Sequence, residues 1–199
     1  MALDSRFLVI EAGFTGDVAT ARAGLAHPDA DVRASALRAV ERLGELLDHD
    51  LVTALRDNDV EVRRTAVECA RHFSSVSIHH LLNDADVFVA EMTAWSLGER
   101  PEPTDEEINA LIDATTQHPE SVVREACAAA LGSLGDPRGL PAILTACTDK
   151  PAVRRRAILA LAPFEGAEVD AALHAAMEDR DWQVRQNAEI LLHPRDSDA

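Results

Sequence analysis

A valine, in five of its six appearances followed by arginine, returns along this chain at a nearly constant interval. The copies are Val32-Arg33, Val62-Arg63, Val123-Arg124, Val153-Arg154 and Val184-Arg185, with a weaker one at Val89-Ala90. The intervals are 30, 27, 34, 30 and 31 residues. Self-similarity at such a period marks an array of one supersecondary unit. Four residues after each valine stands a small residue: Ala36, Ala66, Thr93, Cys127, Ala157 or Ala188. Seven after it come Ala39, Cys69, Ser96, Ala130, Ala160 and Leu191, and eight after it Val40, Ala70, Leu97, Leu131, Leu161 and Leu192. Offsets of 0, 4, 7 and 8 lie on one face of an α-helix, so each unit contains a helix buried along a narrow stripe.

The helix starts repeat as well. Three residues before the valine stands Asp29, Asp59, Asp86, Glu120 or Asp181, while Lys150 holds the place in the fifth unit with Asp149 before it. An acid there caps the first backbone amides and suits the helix dipole. Between these helices lie second helical stretches of about ten residues, such as "LPAILTAC" and "VDAALHAAM". The unit is a helix pair, and one pair cannot bury its apolar face alone, so the units must stack. Composition agrees. The chain has 35 alanines and no tyrosine, and small side chains at the contact offsets let stacked helices approach closely.

The stretch "VREACAAALGSLGDPRGLPAIL" resembles HEAT-like repeats of the short class known from phycobilin lyase subunits, and the resemblance runs over about residues 16–192. It implies an all-α fold, a right-handed α–α superhelix of about six helix pairs, as a single solenoid over 1–192. A short extra N-terminal segment is expected to cap one end, and residues 193–199 are expected to form a flexible tail. The third unit is irregular: Pro101 and Pro103 stop its helix, and Thr104 with Glu107 makes a capping box for the next. A local change of curvature is expected near Arg100–Thr104.

The recurring arginine reads as a structural ladder paired with acids of its own or the adjacent unit. In solenoids that resemble this one, the second helix of each pair lines the concave face. Offsets 2, 3 and 6 would point there, giving Arg38, Arg64, Glu68, Glu91, Met92, Trp95, Arg155, Arg156 and Asn187. Of these, Trp95, Met92, Glu68, Arg64, Glu91, Arg155 and Arg156 are the candidate partner-binding residues. A tryptophan and a methionine flanked by arginines is what a binding groove presents. Trp95 either faces that groove or packs over the irregular linker. Arg155 and Arg156 exceed what the repeat requires, and either dock an acidic peptide or phosphate or pair with nearby acids. Trp182, in a turn, is expected to pack into the core.

Net charge is −16, a field that repels phosphate backbones and argues against nucleic acid. It suits a basic or neutral protein partner. Three cysteines without a C-x-x-C pair indicate a reduced, cytoplasmic protein, and the N-terminal apolar run is too short for a signal peptide or a span. No phosphate-binding glycine loop, G-x-S-x-G or H-E-x-x-H occurs. His27-Pro28 and His118-Pro119 sit at one repeat position as turn residues, and adjacent His79 and His80 do not form an i, i+4 metal pair. Neither a metal nor a cofactor is expected. The alanine and arginine bias, with one lysine, suits a GC-rich bacterial genome. The sequence therefore reads as a non-enzymatic protein–protein scaffold or adaptor. The alternative is an enzyme or accessory subunit of the bilin-lyase-like or DNA-glycosylase-like HEAT class. Oligomeric state is left open.

Overall fold

The computed structural model describes residues 2–193. Every regular element among them is helical, and the chain divides into two compact units between Ile78 and His79. The frayed end expected from His193 onward lies, after His193 itself, outside the described residues.

The first unit contains α1 (Ala2–Thr15), α2 (Val18–Gly24), α3 (Ala30–Arg42), α4 (Asp48–Ala54) and α5 (Val60–Ala70). The long helices α1, α3 and α5 stack in that order, and α2 and α4 pack beside them. The N-terminal segment is a 14-residue helix that packs on α3 and α2 at the start of this stack. Its apolar run continues through Val9 and Ala12, which are buried.

The second unit contains α6 (Val87–Gly98), α7 (Asp105–Gln117), α8 (Ser121–Leu134), α9 (Leu140–Ala146), α10 (Pro151–Ala160), α11 (Ala167–Ala176) and α12 (Trp182–Leu192). Helices α6, α8, α10 and α12, each carrying a repeat valine, stack in order. The other layer varies in length about the expected ten residues: α7 has 13 and α11 ten, while α9 has seven and the partner of α6 is a five-residue 3₁₀ turn, His79–Asn83.

The valine stripe is the core. Val32, Val62, Val89, Val123, Val153 and Val184 are each at most 1% exposed, as are Ala36, Ala66, Cys127, Ala157 and Ala188 four residues later. Close stacking requires the small residues. A Cβ on Gly132 would lie 2.6 Å from Ala160 Cα, and one on Gly98 would lie 2.9 Å from Ala130 Cα. Only hydrogen fits at those crossings. Among the helix starts, Asp29, Asp59, Asp86 and Asp181 accept backbone N–H groups as expected. Glu120 and Lys150 make no side-chain cap bond. Glutamate's extra methylene places its carboxylate badly for a cap, and lysine has no acceptor.

The segment after α6 is built into the second unit. Arg100 and Glu107 form an ion pair whose side chains are at most 2% exposed. Glu107 also accepts from the Thr104 N–H at 3.0 Å, completing the capping box of α7. No helix among the described residues is long and apolar enough to cross a membrane.

Candidate functional site

The repeat arginines form the first polar system, along the turns. Arg33 donates Nε and Nη2 to the Asp57 carboxylate at 2.8 and 2.7 Å and Nη1 to the carbonyls of His27 and Pro28. Arg124 repeats this with Asp149 and the carbonyls of His118 and Pro119. Arg154 repeats it with Asp179 and the Asp149 carbonyl. Each partner acid belongs to the next unit of the array, so each rung ties two neighbours together. The fork geometry of guanidinium on carboxylate is the strong bidentate form. It holds Asp57, Asp149 and Asp179 below the ordinary carboxylate range. Asp57 and Asp179 also accept the N–H of Asp59 and Asp181, the capping residues. His27 and His118 take that acceptor role with Nδ1, so they are turn residues as the repeat position indicates.

A groove in the second unit is the second system. It has a volume of about 320 Å³ and lies along α6, α8 and α10. Ala126, Ala129 and Ala130 supply small wall residues, with Gly98 and Ser133. Around them stand Trp95, Glu91, Glu99, Glu125 and Arg156. Trp95 is 42% exposed and lines the groove. Three carboxylates face one guanidinium, and Arg156 lies 3.8 Å from Glu125. The site is therefore an exposed indole in an acidic setting beside small residues, of which Gly98 and Ala130 meet in the stack.

The candidates from the sequence divide accordingly. Trp95, Glu91 and Arg156 line the groove. Met92, beside them on α6, is half-buried and does not. Arg155 turns away to Asp181, with Nε at 3.0 Å and Nη2 at 2.6 Å. It belongs to the framework, as the pairing alternative had it. Arg64 and Glu68 lie in the first unit, where Arg64 pairs with Glu61 at 3.0 Å and Glu68 with Arg38 at 3.5 Å. Glu99 and Glu125 were missed. Glu125 stands at offset 2 of its own repeat, and Glu99 follows Trp95 by one helical turn, so the same periodicity points to both. Trp182 corrects an expectation: it is 60% exposed at the first position of α12 rather than packed in the core. The first helical turn lies at the rim, outside the stripe that Val184 and Ala188 bury.

Burial pushes the Cys127 and Cys147 thiols up to about 12, and Cys69 upward as well. None of the three is primed as a nucleophile. Among the described residues, no group of three or more His, Cys, Asp or Glu side chains is placed to hold a metal ion.

Stacked helix pairs tied by repeat arginines, with a groove on the long-helix face, define the α-helical repeat proteins. The family profile for HEAT repeats matches residues 74–162 and 108–193, more than half of the chain, and the chain belongs to that family. The match is to HEAT repeats in general and carries no phycobilin lyase subtype. No curated protein sequence matches. Among solved structures, the Escherichia coli protein YibA superposes with a TM-score of 0.63 at 17% identity, over 93% of this chain and 75% of that one. An engineered protein gives 0.60 at 20% identity, covering 89% and 95%. A designed armadillo repeat protein, solved in complex with the peptide (KR)4, gives 0.60 at 18% identity, covering 87% and 97%. These likenesses concern the fold.

Proposed function

We propose that this HEAT-repeat chain is a protein-binding scaffold or adaptor rather than an enzyme, and that the second unit's groove takes a basic segment of a partner protein. The observation that carries this is the exposed Trp95 indole on a wall with Glu91, Glu99 and Glu125. A lysine or arginine of the partner can lay its methylenes over the small residues and set its charge between indole and carboxylates. The net charge of −16 steers such a partner inward and repels nucleic acid. A designed protein of the same fold, solved with a Lys-Arg peptide, supports the reading by showing that this architecture accommodates one.

The test is a fluorescence titration of Trp182→Phe, which leaves Trp95 as the only tryptophan. A (Lys-Arg)4 peptide should shift its emission saturably, and a poly-glutamate peptide should not. Trp95→Ala should weaken binding, followed by calorimetry, by about tenfold. Equal response to both peptides, or undiminished affinity in Trp95→Ala, would remove the proposal.

A further inference from the structure

We propose that the outer face of α1 is a self-association surface, through which two copies of the chain pair as a short parallel coiled coil. Helix α1 is apolar on both sides. Val9 and Ala12 are buried within the first unit, while Phe7 is 65% exposed, Phe14 71%, Leu8 54% and Ile10 39%. A helix apolar all round has a partner on each side; α3 and α2 cover the side of Val9 and Ala12, and the side of Phe7 and Phe14 is open.

The chemistry of the exposed face says what its partner is. Where long helices of this array stack, glycine meets alanine: Gly13 of α1 against Ala39 of α3, Gly98 against Ala130 and Gly132 against Ala160. The outer face of α1 offers phenylalanine, leucine and isoleucine instead, so it does not suit another repeat of this kind. Phe7, Ile10 and Phe14 follow the 3–4 spacing of a coiled-coil seam, whose large knobs fit holes on a facing helix. A second copy supplies the same seam. Charge selects the orientation. With Phe7 and Phe14 at a positions, Arg6 falls at g and Glu11 at the following e, the pair that meets across a parallel dimer. An antiparallel pair would set Glu11 beside its own copy, like charge on like. Arg6 is held at that edge by donating Nε to Ser35 Oγ at 3.1 Å and by an ion pair with Asp31 at 3.7 Å, with its side chain still 47% exposed. Arg42 covers one side of the Phe14 ring at 4.2 Å, stiffening the knob.

Sedimentation equilibrium of the full chain should show a concentration-dependent dimer. Phe7→Glu with Phe14→Glu should be monomeric throughout, with the circular dichroism of the parent because both side chains are exposed. Arg6→Glu and Glu11→Arg should each weaken the dimer by about tenfold, and the two together should restore it. A parent that is monomeric at every concentration overturns the proposal, as does a dimer that survives the double Phe substitution. Failure of the charge swap to restore association overturns the parallel arrangement.

Discussion

Arg124 and Arg156 lie on neighbouring helices of one unit, and the fold treats them differently. Arg124 spends Nε, Nη1 and Nη2 on Asp149 and on two turn carbonyls. Arg156 has Glu125 at 3.8 Å and a side chain 49% exposed. The first sits on the edge where each unit must meet the next, the second on a face where nothing in the stacking requires it. Position within the repeat, rather than residue type, separates framework from surface. Both tryptophans fall on the surface side of that division, Trp95 on the groove wall and Trp182 at the rim of α12.

The contrast can be broken or sharpened by substitution. The largest effect is expected inside the stack. Ala130 is 3% exposed against Gly98, so Ala130→Glu buries a charge without a partner. It should cost about 4 kcal/mol or more and unfold the second unit in chemical denaturation. Arg124→Ala comes next. Losing a bidentate, part-buried pair and leaving Asp149 and two carbonyls unanswered should cost about 2–3 kcal/mol in the same measurement.

Acid should act on the same edge. Asp57, Asp149 and Asp179 are depressed below their ordinary value of 3.8 by bonds from Arg33, Arg124 and Arg154. A depressed folded value means the stabilisation is fully present above the ordinary carboxylate range and is lost as pH falls through the folded values. Melting temperature should hold from pH 7 to about 5 and drop below about pH 4. Arg124→Ala should show a shallower drop. The smallest effect belongs to Arg156→Ala, which should leave stability within about 0.5 kcal/mol of the parent.

The valine period, the small residues at offset 4 and the capping box at Thr104 were legible because they follow from helix geometry and local hydrogen bonding. The groove was legible in part. Offsets 2, 3 and 6 point to Trp95, Glu91 and Arg156, but they also include Arg155. What separates Arg155 from Arg156 is the reach of Asp181, an acid of the next turn some 26 residues on, and periodicity within one helix carries no information about it. Trp182 was misplaced for a related reason: a turn position says nothing of whether a neighbouring unit covers it. The apolar outer face of α1 was hidden because its run of large residues precedes the first repeat valine and falls outside the pattern.

The central claim, that the turn edge holds the fold and the groove face binds, is tested most directly by one set of thermal melts. The parent, Arg124→Ala and Trp95→Ala would each be melted with and without saturating (Lys-Arg)4 peptide. Arg124→Ala should melt well below the parent yet gain the same increment from peptide. Trp95→Ala should melt close to the parent and gain little or nothing. An Arg124→Ala protein that loses the increment, or a Trp95→Ala protein that keeps it, would contradict the division between framework and groove.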